Sequence, residues 1–208
     1  MKKILIVDDH KIVVKGLTLI LRNEIPEASF FQAFKVNKVK ELLASNSFDL
    51  SIVDLHMDDS NTMGLITYMK EVSPAMKIIV YSTYPEDIFA LRTYKIGVQG
   101  YLNKQEDLAL LARAVKTVLD GNIFYSKRTQ ELLKDQKMKG TELLSFDKLS
   151  NRELEVAILL KNGKDLLDIE NILQVTKSTA STYKRRVFAK LSVSNVIELS
   201  ELCTMNGI

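Results

Sequence analysis

The 208-residue chain has a single cysteine, Cys203, and no internal repeat or low-complexity tract. One cysteine excludes an intrachain disulfide, and with no partner ligands nearby in sequence Cys203 reads as a small buried hydrophobe in a reducing compartment. Long apolar runs are absent too. The longest, around residues 78–80, is far short of the roughly 20 residues that cross a bilayer. The opening Met1-Lys2-Lys3 leads into only four apolar residues before Asp8 and Asp9, less than the roughly 7–15 of a signal peptide's hydrophobic region. The start is therefore expected to be a buried strand of an unexported, cytoplasmic protein with no membrane partner. A charge excess is also missing. A formal net charge of +3 is too small to identify a nucleic-acid binder, so the distribution of charge has to be read instead.

That distribution is uneven. Residues 1–126 carry 15 basic and 15 acidic side chains, which cancel, whereas residues 176–191 carry five basic side chains and no acid. The length is comfortable for two domains, and 46% hydrophobic residues can fill a core in each. Up to about residue 124, short β-branched runs at 4–7, 29–32, 50–53, 78–81 and 100–102 alternate with helical patterns at 12–21, 36–44, 65–72, 88–96 and 108–119. Five strands each followed by a helix predict a parallel α/β sheet covered on both faces. Leu108, Leu111, Ala112, Val115 and Leu119 recur at helical spacing, and Asp120-Gly121-Asn122 stops that helix. From 127 to 140 the chain is polar with little apolar periodicity beyond Leu132-Leu133, which predicts a linker with at most one helical turn. After it only helical patterns remain, at 152–161, 165–173, 177–190 and 193–205. The expected division is 1–124, 125–144 as linker, and 145–208.

In a parallel α/β sheet, ligands bind beyond the carboxyl ends of the strands. Asp8 and Asp9 follow the first predicted strand, Asp54 the third, Ser82 and Thr83 the fourth, and Lys104 the fifth. Carboxylates gathered in one place repel, and a hard divalent cation with oxygen ligands, best magnesium, relieves the repulsion while tolerating water and phosphate. Such a site aligns a phosphoryl group with a carboxylate nucleophile, Lys104 offering a positive charge to the phosphoryl oxygens and Ser82 a hydroxyl. An acidic pair after a strand is often only a solvated turn, and a loop lysine usually only aids solubility. Their joint occurrence in this order is what points to phosphoryl chemistry.

The runs Ile6-Val7-Asp8-Asp9-His10, Ile52-Val53-Asp54-Leu55, Val80-Tyr81-Ser82 and Gly100-Tyr101-Leu102-Asn103-Lys104 resemble the motifs of a response-regulator receiver, over essentially residues 1–122. The resemblance implies a flavodoxin-like, doubly wound fold with Asp54 as phosphoacceptor. It further implies Asp8, Asp9, Asp54 and the His56 backbone carbonyl as magnesium ligands, Ser82 and Lys104 as phosphate contacts, and Tyr101 as the aromatic that swings inward on activation. The side chains of His10 and His56 read simply as a helix-start and a loop residue. One departure stands out: Asp58 occupies the place of a usual proline, and Gly64 lies two residues later than the usual glycine. The longer, acidic Asp58-Asp59-Ser60-Asn61 loop bears on metal affinity and phosphate lifetime.

In the second part, Ser150 followed three residues later by Glu153 is a capping-box pattern at a helix start, and Gly163 ends that helix. Leu166, Ile169, Ile172 and Leu173 form the stripe of a second helix. Thr176 can cap a third, in which Ala180, Tyr183 or Lys184, Val187 and Leu191 face inward. Its other face carries Ser178, Ser181, Thr182 and Arg185, which suit a major groove, while Lys177, Lys184, Arg186 and Lys190 suit phosphates. A lone basic helix would more simply be a solvated face. However, Leu149-Ser150-Asn151-Arg152-Glu153, Gly163, Ile169, Thr179-Ala180-Ser181-Thr182-Tyr183 and Lys190-Leu191 resemble a LuxR-type helix-turn-helix. A receiver followed by such a domain resembles the NarL/FixJ family of response regulators, nearest to its BvgA, EvgA and RcsB type. Asp165-Leu166-Leu167-Asp168 departs from the family's serine-asparagine-lysine-glutamate run, and Val196 stands where arginine is common.

The resemblance implies a DNA-binding regulator rather than an enzyme. Its partners would be double-stranded DNA, a sensor histidine kinase that phosphorylates Asp54, and a second copy of the chain. An alternative keeps DNA binding but makes the receiver a phosphorylation-independent dimerisation module. A free-standing phosphatase using Asp54 would need a second acid just after it and a cap domain, and nothing in the sequence resembles a cap. The last helix is the expected pairing surface, because Val193, Val196, Ile197, Leu199 and Leu202 exceed what one small core needs.

Overall fold

A computed structural model describes the chain except residues 58–61, 85, 128, 132, 135–145 and 206–208. The chain divides into two compact units, Met1–Met138 and Lys139–Ile208. In the first, β1 (Lys3–Val7), β2 (Ser29–Ala33), β3 (Leu50–Val53), β4 (Lys77–Ser82) and β5 (Gly100–Asn103) alternate with α1 (Lys11–Glu24), α2 (Val36–Ser45), α3 (Thr62–Val72), α4 (Glu86–Lys95) and α5 (Leu108–Leu119). The strands pair in parallel in the order β2-β1-β3-β4-β5. The order reverses beside β1, so the carboxyl ends of β1 and β3 border the crevice where ligands settle in sheets of this kind.

Burial follows the strands' positions. β3 is buried throughout and β1 and β4 nearly so, as their unbroken Ile, Leu and Val runs require, whereas edge strand β2 is only part-buried before Ala33. On one face, Val14, Leu17 and Leu21 of α1 and Leu111, Val115 and Val118 of α5 join Ile4, Ile6, Ile52 and Ile79 in one core. Each such side chain contributes roughly 1.5–3 kcal/mol by leaving water. The chain after α5 returns along β5, where Tyr101 N–H donates to the Phe124 carbonyl (3.0 Å) and Phe124 N–H to that of Gln99 (2.8 Å). A Cβ at Gly100 would lie 3.1 Å from the Phe124 oxygen, so a larger residue would have to push this return segment away by a few tenths of an ångström.

The segment read as the start of a linker is more structured than its polarity predicts. Helical residues occur within 127–134, and Tyr125, Thr129 and Leu133 are buried. The Tyr125 hydroxyl donates to the Val98 carbonyl (2.6 Å), and Ser126 N–H donates to Glu86 Oε1 (2.8 Å). Two apolar anchors, Tyr125 and Leu133, eight residues apart with Thr129 midway between them, suffice to seat this piece on the first unit, a pattern too sparse to register as periodicity. Much of the remaining expected linker, 135–145, lies outside the described residues.

The described part of the second unit is all helical: a 3₁₀ turn at Phe146–Lys148, then α6 (Asn151–Lys161), α7 (Leu166–Leu173), α8 (Lys177–Leu191) and α9 (Val196–Met205). Ser150 and Glu153 form the expected capping box, and Gly163 adopts φ +75° just past the end of α6. Thr176 caps α8 by accepting from the Thr179 amide. Asp165 and Asp168 form a second capping box at α7, so the departure from the family's run still starts a helix. The last helix begins at Val196 rather than 193, because Asn195 accepts from the Glu198 amide and Glu198 accepts from the Ser194 amide. Leu199 and Cys203 are fully buried, whereas Ile197 is 72% exposed.

Candidate functional site

Each acidic-pocket residue is held at the end of a strand by one further ladder hydrogen bond. Asp8 N–H donates to the Ala33 carbonyl (3.1 Å), Asp54 N–H to that of Val7 (2.9 Å) and Lys104 N–H to that of Ser82 (2.8 Å). The side chains thus leave the sheet at one crevice. There Lys104 Nζ lies 2.7 Å from Asp8 Oδ2 and 2.7 Å from Asp54 Oδ2. The second oxygen of Asp54 accepts the His56 amide (3.0 Å), and that of Asp8 accepts the His10 amide (2.8 Å). Ligand-capable atoms of Asp8, Asp9, His10 and Asp54 all lie within 4.8 Å of one another.

Burial is the largest influence on the Asp54 carboxyl and holds it above its ordinary value, with Asp8 adding to that and Lys104 and the His56 amide opposing it. Burial alone would lower Lys104, but Asp54 and Asp8 outweigh it and hold the ammonium above the usual lysine value. The directions are compatible. One shared ammonium stays protonated, while each carboxylate receives only part of its charge. The arrangement can present a carboxylate oxygen and a cation to the same incoming anion.

Ser82 is fully buried at the end of β4, its hydroxyl oxygen 3.4 Å from the Tyr84 amide. Tyr101 is turned inward, with its hydroxyl donating to the Tyr84 carbonyl (2.9 Å). The Tyr84 ring stacks on Phe89 (4.6 Å) and meets the His56 ring edge-on (5.7 Å), which links the pocket to α4. His10 does stand at the start of α1, but its Nδ1 also lies 2.8 Å from Asp9 Oδ1 and 3.1 Å from Asp8 Oδ1. A histidine directly after two aspartates was the available signal for that contact. The Asp58 loop lies outside the described residues.

In the second unit, α8 buries Ala180, Val187 and Leu191 and exposes Lys177, Ser178, Ser181, Arg185 and Arg186. Thr182 is half-buried, its hydroxyl donating to the Ser178 carbonyl (2.9 Å), and Lys184 lies 5.5 Å from the centre of the Phe188 ring. Lys190 differs from the other basic residues. Its Nζ lies 2.6 Å from Oε2 of Glu153, whose side chain is 3% exposed. The lysine therefore holds α8 against the start of α6 through a carboxylate that also serves the capping box. Sequence reasoning treated Lys190 as a phosphate contact and missed this pairing, which 37 residues separate.

A sheet ending in an acidic crevice, followed by a capped helical unit exposing a basic helix, defines a receiver joined to a DNA-binding domain. Comparison with known proteins agrees. The model of the response regulator receiver domain matches residues 4–116, and that of bacterial regulatory proteins of the luxR family matches 147–202. The chain belongs to the response-regulator receiver family, and with its LuxR-type domain it is a two-component, DNA-binding transcription regulator of the NarL/FixJ type. It is 27% identical to response regulator GacA of Pseudomonas aeruginosa over 209 residues, covering 100% of this chain and 98% of the relative. It is 26% identical to BvgA of Bordetella pertussis over 208 residues, covering 99% and 98%. Among solved structures, RcsB from Salmonella enterica serovar Typhimurium, bound to promoter P1flhDC in the presence of phosphomimetic BeF3⁻, aligns with 25% identity and TM-score 0.59 over 97% of each chain. Receiver domains generally bind Mg2+ at an acidic pocket, and here Asp8, Asp9 and Asp54 form an acidic cluster. Among the described residues no helix is long and apolar enough to cross a membrane.

Proposed function

We propose that a sensor histidine kinase transfers a phosphoryl group to Asp54 and that this controls pairing of the chain on DNA. The observation that carries the reading is the Lys104 ammonium 2.7 Å from the buried Asp54 carboxylate and 2.7 Å from Asp8. Asp54 attacks phosphorus through a carboxylate oxygen, and the leaving group departs with the bonding electron pair. Lys104 is placed to follow the new phosphoryl oxygens, and Ser82 offers its hydroxyl at the end of β4. Asp8, Asp9, Asp54 and the His56 carbonyl would hold magnesium, whose charge offsets that gathering on the phosphoryl oxygens. Tyr101, bonded to the Tyr84 carbonyl, carries the change at the pocket towards α4.

On the DNA side, Ser178, Ser181, Thr182 and Arg185 read base edges, and Lys177, Lys184 and Arg186 neutralise phosphates. Lys190 acts mainly as a positioning residue. Pairing of the DNA-binding units uses α9, where Ile197 is open to solvent. The functional division remains receiver 1–124, connecting segment 125–144 and DNA-binding unit 145–208, with the first part of the connecting segment resting on the receiver. The regulator works in the cytoplasm and is not an enzyme in its own right. The RcsB complex with promoter DNA supports the DNA-binding reading.

The test uses acetyl phosphate with Mg2+ on the full chain, followed by intact mass. One phosphoryl group is expected on the wild type and none on Asp54→Asn. Undiminished labelling of Asp54→Asn would remove the assignment. An unlabelled wild type that still pairs on DNA would favour the phosphorylation-independent alternative.

A further inference from the structure

The turn between α6 and α7 borders a concavity in the second unit that is lined by three lysines from separate places: Lys164 in the turn, and Lys177 and Lys184 on α8. Leu166, Leu167 and Val196 line it as well. Lys177 and Lys184 are about two helical turns apart and so lie on one flank of α8. Among the described residues, none of the three ammonium groups pairs with a carboxylate. Asp165, also in the concavity, is committed to the start of α7, where it accepts from the Leu167 and Asp168 amides at 2.8 Å each. Those amides are therefore closed to an outside anion, whereas, among the described residues, the three lysines carry no carboxylate partner.

The geometry of an inserted helix says what such a flank meets. A helix with its side chains is about 10–12 Å across and the major groove about 12 Å wide, so residues beside the reading face lie against the sugar-phosphate walls. The reading face of α8 runs through Ser178, Ser181 and Arg185, and Lys177 and Lys184 lie beside it. Lys164 shares their concavity although it belongs to a different element. Leu167, at the lysine position of the family's serine-asparagine-lysine-glutamate run, and Val196, where arginine is common, line the same concavity. Lys164 brings a positive charge to it from the turn.

We propose that Lys164 is a DNA-phosphate ligand, forming with Lys177 and Lys184 a three-lysine seat for the duplex backbone. The proposal rests on the reading of α8 as the recognition helix. Its test needs no operator. The full chain is titrated with a mixed-sequence 30-base-pair duplex by fluorescence anisotropy over a KCl series, for wild type, Lys164→Gln and Leu167→Lys. Losing one phosphate contact lowers the salt slope by about 0.9, and adding a cation at Leu167, which is 60% exposed, raises it by a similar amount. Over a fourfold rise in salt, each change alters relative affinity about three- to fourfold. Wild-type slopes in both variants, with helical circular dichroism retained, would overturn the proposal and leave DNA binding standing. A wild type that binds no duplex even at low salt would overturn the recognition-helix reading itself, and the proposal with it.

Discussion

Lys104 and Lys184 both belong to proposed sites, yet they are held in opposite ways. Lys104 reaches Asp8 and Asp54 across 96 and 50 residues of chain, and its side chain is only 13% exposed. Lys184 stands on one helix with Lys177 two turns before it, borders solvent and pairs with no described carboxylate. The receiver site is assembled by a sheet and consists of mutually dependent charges. The proposed DNA-contacting face of α8 is laid out by helical period, and its members are expected to act nearly independently. Removing one group from the first should disturb its neighbours, whereas removing one from the second should subtract a single contact.

The sharpest way to break this contrast is Lys104→Met. It leaves two buried carboxylates without their shared cation and should destabilise the metal-free receiver by about 3 kcal/mol in urea unfolding. A change near zero would mean that the pocket charges are independent after all. Next in size, Arg185→Ala should weaken binding to a selected operator by about 1–3 kcal/mol while leaving the unfolding curve unchanged. Equal losses on operator and random duplex would place Arg185 on the phosphates instead.

Lys190 tests the boundary between the two behaviours, because it lies on the basic helix but is tied to a buried carboxylate. Lys190→Ala should cost about 1 kcal/mol of stability, seen as a lowered Tm. Glu153 adds a pH signature. Burial pushes its carboxyl upward, but Lys190 and Ser150 outweigh burial and hold it below the usual glutamate value. A depressed folded value means the stabilisation is present above the ordinary glutamate range and is lost as pH falls through the lowered value. Glu153→Gln should therefore flatten the acid limb of the stability profile, and an unchanged limb would remove the pair's role. The smallest effect is expected at Ile197→Ala, within about 0.5 kcal/mol of wild-type stability, because that side chain covers no core. Its cost should appear in dimer formation by sedimentation, and an unaltered dimer would move the pairing surface elsewhere.

How much of this was legible follows from the range of each interaction. The five βα repeats, the capping box at Ser150 and Glu153, the break at Gly163 and the inward stripe of α8 depend on neighbours within about four residues, and such patterns are visible along the chain. The receiver pocket could be read because its residues lie at or just beyond the ends of strands, and parallel strands deliver their carboxyl ends to one side of the sheet. The late start of the last helix was missed because Glu198 turns its carboxylate to the Ser194 amide, a polar competition that apolar spacing does not record.

By itself, then, the sequence determined which segments become strands and helices, where the acidic residues leave the sheet, and which face of α8 turns inward. Only the tertiary structure decided that His10 turns back on Asp8 and Asp9, that Lys190 is tied to Glu153, that residues 125–134 rest on the receiver, and that Lys164 shares a concavity with Lys177 and Lys184. The physical reason is common to the three that involve charged side chains. A charged or half-polar side chain has no strong preference of its own between solvent and partner, so which it takes depends on what packing brings within a few ångströms.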